Sequence, residues 1–148
     1  NVIAPVLTSK DGILIQSIYH PFVRYSELAS GDSLTPVVTG PMYRAGGRGE
    51  VPALDVSASY DESNGRATVF AVNRDSENSI TATLSITGRS LSGAGEGWLL
   101  TGDDPKAHND WDAPDRVTST TCEVSVEDGV ARVVMPPMSI VTVTLDTL

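Results

Sequence analysis

Two histidines, one cysteine and nineteen carboxylates carry most of the reactive chemistry in this 148-residue chain, and their neighbours limit what that chemistry can be. His20 stands in Ile18-Tyr19-His20-Pro21-Phe22 and reads as the packed end of a strand, because no acid or nucleophile signal accompanies it. His108 falls in a polar loop and reads as solvated. Serines are plentiful, but no Gly-x-Ser-x-Gly elbow is present to lift one into a nucleophile's position. Neither phosphate-cradle motif occurs, and Gly93-Ala94-Gly95-Glu96-Gly97 lacks the helix that would make it one. The lone Cys122 rules out an intrachain disulfide and a cysteine-built zinc site.

Paired carboxyls roughly 5–9.5 Å apart would suit acid–base work on a glycosidic bond. Seven Glu and twelve Asp could supply such a pair. They sit, however, at turns (Asp61-Glu62, Asp75, Glu77, Glu127-Asp128) or on wet strand faces, where solvation explains them. The expectation is therefore no catalytic residue, no metal site and no cofactor in this chain. The polar loop from Thr101 to Asp115 leaves three readings open. Its carboxylates could hold calcium, although the EF-hand glycine and final glutamate are missing. Trp111, or Trp98 beside it, could stack on a sugar face. The favoured reading is an Ω-like loop whose Asp and Asn side chains bond their own backbone, with Trp111 pinning it to the domain.

The elements that must position these residues are strands. Leu54, Val56, Ala58 and Tyr60 alternate with Asp55, Ser57, Ser59 and Asp61, giving one apolar and one wet face. Asn64-Gly65 then signals a hairpin into the doubly apolar run Ala67 to Val72. Ser79 to Thr87 alternates most regularly, with Ile80, Ala82, Leu84 and Ile86 inward. Glu96 to Thr101 is a further strand. Cys122, Val124 and Val126 share a face before the Asp128-Gly129 hairpin, Val130 to Met135 returns, and Ser139 to Leu145 closes after Pro136-Pro137. Short strands with turns at such intervals predict an all-β fold, an antiparallel two-sheet β-sandwich over 51–148. A charge at Val69 or Leu84 should unfold it, and one at Thr83 should be nearly silent.

Residues 1–29 differ in texture and form a short non-sandwich leader. Val2, Ile3, Val6 and Leu7 make one apolar run and Ile13 to Ile18 another, across a Lys10-Asp11-Gly12 turn. Phe22, Tyr25 and Leu28 recur at helical spacing, with Pro21 at the first helical position. Residues 30–50 are a Gly-, Pro- and Ser-rich connection with one short strand at Leu34–Thr39. The opening Asn-Val-Ile-Ala-Pro has no initiator Met or signal pattern and reads as a mature end or a fragment. The net charge of -9 argues against a nucleic-acid or anionic-lipid partner. No apolar run reaches the roughly 18–20 residues of a membrane helix.

Four collinear segments resemble the C-terminal domain of α-L-arabinofuranosidases of glycoside hydrolase family 51. They are Asn1 to Thr8; Leu54 to Tyr60 with Val69 to Arg74; the loop Thr101–Asp104 through Asn109–Val117; and Val126 to Gly129 with Met135 to Ser139. The resemblance implies that 1–29 is the tail end of a (β/α)8 catalytic barrel and 51–148 the jelly-roll-like C-terminal sandwich. It implies a retaining enzyme releasing terminal α-L-arabinofuranosyl residues from arabinoxylan or arabinan oligosaccharides. Its two catalytic glutamates, one preceded by Asn, lie on barrel strands. No Asn-Glu dipeptide occurs here, so neither transfers to a position of this sequence. Some relatives carry Gln where Ala4 stands, a sugar contact that Ala4 cannot make. The implied role is structural: support of the upstream barrel and subunit contacts in a homo-oligomer. An N-terminal segment of the family's full chain also adds to the sandwich, which predicts an unpaired edge and an unburied barrel-facing patch here, with self-association or a loosely ordered stretch within residues 1–50. One free cysteine and no signal suit a cytoplasmic enzyme. The alternatives are an independent carbohydrate-binding module using Trp98 or Trp111, and an Ig-like interaction domain.

Overall fold

The computed structural model describes residues 4–148; the apolar run that begins at Val2 and Ile3 falls partly outside them. The leader forms a hairpin of β1 (Val6–Thr8) and β2 (Ile13–Ile15), then helix α1 (Tyr19–Leu28). The helix starts two residues earlier than Pro21 predicts. Pro21 occupies the first turn, where backbone N–H groups have no intrahelical acceptor and a missing donor costs nothing. His20 is consequently a helical residue and not a strand end.

The connection contributes β3 (Asp32–Leu34) and a second hairpin, β4 (Met42–Arg44) with β5 (Glu50–Pro52). The strand expected at Leu34–Thr39 ends at Leu34, before Pro36, which cannot donate to a ladder. The sandwich follows: β6 (Leu54–Asp61), β7 (Arg66–Asn73), β8 (Ile80–Leu84), β9 (Leu91–Leu100), β10 (Ser119–Cys122), β11 (Val124–Glu127), β12 (Val130–Met135) and β13 (Ser139–Thr147). The large sheet runs β10-β9-β13-β7-β6-β3 and the small one β11-β12-β8. Every strand pair is antiparallel.

Both hairpin signals hold. Gly65 and Gly129 take positive φ, and Asp128 joins Gly129 in the left-handed region, as a two-residue primed turn requires. The core lies between the sheets. Ala71, Leu91, Val141, Val143 and Leu145 from the large sheet meet Ala82, Val124, Ala131, Val133 and Met135 from the small one. Cys122 and Val126 pack against the same core as Val124, although they belong to different sheets. Cys122 pairs with Gly97 in the large sheet and Val124 with Val133 in the small one, so the chain changes sheets at Glu123.

The glycine-rich segment turns out to be strand, extending β9 back to Leu91. A Cβ on Gly95 would stand 2.6 Å from the Val124 side chain and 2.9 Å from that of Leu145. Glycine is there because Val124 of the facing sheet and Leu145 of the neighbouring strand already fill the space.

Six strands face three, so β3 and β6 extend past the small sheet. An apolar cleft of about 740 Å³ opens between residues 34–41, Leu54, Val56, Val69 and the edge strand β8. Val69 and Leu84 line it and are only half-buried, which makes them weaker sites for a disruptive charge than the sequence pattern suggests. Thr83 is exposed, as expected.

Candidate functional site

Alternation gives the central strands of the large sheet a second, outward face. Phe70 on β7, Thr142 on β13 and Trp98 on β9 are cross-strand partners and form one row across it. All three are buried, because the leader and the Thr101–Asp115 loop lie over them. From α1, Tyr25 stacks on Phe70 with ring centroids 3.9 Å apart and planes at 26°. Arg24, its neighbour in sequence, holds its guanidinium 5.3 Å from the centre of the Trp98 ring. From the loop side, Val117 and Ala107 pack with Trp98, Leu100 and Ile140 into a small separate cluster.

The residue that binds these parts together is Asn109, only 2% exposed. Its Nδ2 donates to the Ile15 carbonyl of β2 at 2.9 Å and to the Val117 carbonyl at 3.0 Å. Its Oδ1 accepts from the Val117 N–H at 2.7 Å. In the reverse direction Gln16 Nε2 donates to the Asn109 carbonyl at 2.9 Å. Every polar atom of the buried amide is therefore used. The rest of the loop bonds itself. Asp110 Oδ1 accepts from the N–H groups of Asp112 and Ala113, Asp104 Oδ1 accepts from that of Lys106, and Arg116 pairs with Asp103.

The self-bonded loop thus forms as read from the sequence, but its pin is different. Trp111 is 52% exposed and sits against Gly12 of the leader turn, while Asn109 does the anchoring. Trp98, at 7% exposure and beneath Arg24, has no face left for a sugar. His108 is exposed, its ring Nδ1 2.9 Å from the Lys106 carbonyl. His20 is half-buried in α1; burial pulls its pKa down first, and Arg24 adds to that, against an opposing pull from Asp115.

The carboxylates behave as turn builders. Asp61 is held below the ordinary aspartate range by hydrogen bonds from Ser63 and Asn64, and Asp75 by bonds from Glu77 and Asn78. A general acid needs the opposite shift. Burial raises the Cys122 thiol, which disfavours the reactive thiolate. Among the described residues no three His, Cys, Asp or Glu side chains come together as a metal site. No described helix is long and apolar enough to cross a membrane.

Fold and surface together define an antiparallel β-sandwich domain capped on one outer face by a leader. The model of the α-L-arabinofuranosidase C-terminal domain matches residues 1–139, and the chain belongs to that family. It is 30% identical over 151 residues to an intracellular exo-α-(1→5)-L-arabinofuranosidase of Bifidobacterium longum, covering 97% of this chain and 27% of that protein. A Bacillus subtilis enzyme of the same name is 30% identical over 140 residues, covering 94% and 28%. A solved family 51 α-L-arabinofuranosidase from Bifidobacterium longum superposes with a TM-score of 0.86 at 30% identity, over 98% of this chain and 29% of its own. The family 51 arabinofuranosidase from Xanthomonas axonopodis gives 0.86 at 28% identity, over 97% and 29%. The chain therefore spans between a quarter and a third of the length of these four proteins.

Proposed function

We propose that this chain is the non-catalytic C-terminal sandwich of an α-L-arabinofuranosidase acting with retention on terminal α-L-arabinofuranosyl residues of arabinan or arabinoxylan oligosaccharides. In this reading residues 1–29 finish a (β/α)8 barrel, 30–50 connect, and 51–148 buttress the barrel and lend subunit contacts. Both catalytic glutamates lie in the barrel, so the chain alone is inactive. The single observation that carries the reading is the surface of the leader. Ile13 is 68% and Phe22 62% exposed, with Val6 and Leu7 also exposed, on a segment clamped to the sandwich by Asn109. Such an apolar surface on an anchored element needs a neighbour.

The open cleft beside β8 supports the further expectation that an upstream strand completes the sandwich. The names of the relatives favour a cytoplasmic location for the whole protein. A chromogenic arabinofuranoside tests the assignment: the full-length protein should turn it over and the 148-residue chain should not. Turnover by the chain alone would refute it. Light scattering tests the open surfaces, since the isolated chain should self-associate and a strict monomer at high concentration would count against them.

A second reading rests on Trp111, which remains half exposed on a fixed loop. As a carbohydrate-binding module the chain would quench its Trp fluorescence on titration with arabinan oligosaccharides, and Trp111→Ala would abolish the response. No response at millimolar sugar leaves the buttress alone.

A further inference from the structure

We infer that Asn109 is a positioning residue: its amide fixes the leader, residues 4–28, in one register on the sandwich. The helix alone cannot set that register. It has no side-chain N-cap and no fully buried residue. Two of its contacts with the sheet, Tyr25 on Phe70 and Arg24 over Trp98, are ring-face contacts that tolerate sliding. Hydrogen bonds are directional and weaken steeply when misaligned. The bond from Asn109 to Ile15 spans 94 positions in sequence and that from Gln16 to Asn109 spans 93, and together they tie loop and leader at one point.

The chemistry demands an amide. One NH2 group serves two carbonyls from different segments, while the amide oxygen takes the Val117 N–H. Aspartate would set a carboxylate against two carbonyl oxygens. Alanine would leave the Val117 N–H, the Val117 carbonyl and the Ile15 carbonyl buried without partners, each at the desolvation cost of an unmade bond. Asp110, one residue on, bonds only within the loop and gives a matched control.

The consequence for turnover rests on the reading that the leader finishes the catalytic barrel; the latch itself does not. Hydrogen exchange on the full-length protein separates the two. Asn109→Ala should speed exchange across residues 4–28 by about tenfold or more, with β7 and β13 unchanged. Gln16→Ala should act in the same direction to a smaller extent. Asp110→Ala should leave leader protection as in wild type. On the same proteins, kcat/KM for a chromogenic arabinofuranoside should fall most in Asn109→Ala and least in Asp110→Ala. A leader equally protected in wild type, Asn109→Ala and Gln16→Ala would overturn the latch. So would a leader opened as far by Asp110→Ala, or exchange rising equally in β7 and β13 in both Asn109→Ala and Gln16→Ala. A wild-type protein without turnover would remove the barrel reading and leave the exchange pattern to decide the latch.

Discussion

The two faces of the large sheet are built by opposite means. Inward, β13 presents Val141, Val143 and Leu145 to an aliphatic layer of the small sheet, and shape and area do the work. Outward, the same strand presents Thr142 between Phe70 and Trp98, and the cover is one stacked ring, one guanidinium and the small apolar side chains of a loop held by one buried amide. The first layer is non-directional and tolerant of small adjustments along the strands. The second is directional only at its amide, and the hydrogen bonds there fix the geometry. A sandwich that only had to fold would need the inner layer alone; the outer one sets where the leader goes.

That contrast can be broken at graded cost. Val143→Asp puts a charge into the inner layer, where no partner exists, and should abolish the cooperative thermal transition seen by circular dichroism. Gly95→Ala should cost roughly 1–3 kcal/mol in urea unfolding, because the new methyl meets Val124 of the facing sheet and Leu145 of the neighbouring strand, and they must give way. Tyr25→Ala strips the outer stack from Phe70 and should remove a stacking contribution of about 1 kcal/mol beyond the area it uncovers. It should loosen α1 while leaving the β7 and β13 amides protected. A global loss in Tyr25→Ala, or none in Gly95→Ala, would mean that the two faces are not independent.

The smallest effect is electrostatic. The folded state binds the protons of Asp61 and Asp75 less tightly than an unfolded chain does, through the turn hydrogen bonds. Their contribution is therefore complete above the unfolded value of 3.8 and disappears as pH falls below it, through their lowered folded values. Melting temperature followed from pH 7 down to about pH 3 should drop less steeply in Asp75→Ala than in wild type. Both carboxylates are exposed to solvent, so ionic strength should blunt the difference.

The inner face was legible in the sequence because period-two alternation and glycine turns are local signals. Leu54 to Tyr60, Asn64-Gly65, Asp128-Gly129 and the closing strand all lie where the pattern puts them. The outer face was not legible, for a physical reason. Trp98 reads locally as strand and Trp111 as loop, but nothing local says that one lies buried under Arg24 and the other half open beside Gly12. The role of Asn109 depends on Ile15 and Gln16, more than ninety positions away. In sequence it is one polar residue among many in a loop rich in Asp. The glycines of β9 were similarly ambiguous, since a glycine run looks like a loop until the close approach of Val124 explains it. The family resemblance reached what alternation could not, because it compares whole ordered segments.

The crossing at Glu123 gives the sandwich a mechanical character. Cys122 is bonded into one sheet and Val124 into the other, so a single peptide belongs to both layers. Sliding one sheet over the other would have to break the β10–β9 ladder or the β11–β12 ladder at that corner. Load arriving through the large sheet, which carries the leader, is thereby shared with the small sheet through covalent bonds as well as through side-chain friction. The domain behaves as a hemmed fabric and not as two loose plies, and the hem lies at the opposite margin from its open cleft.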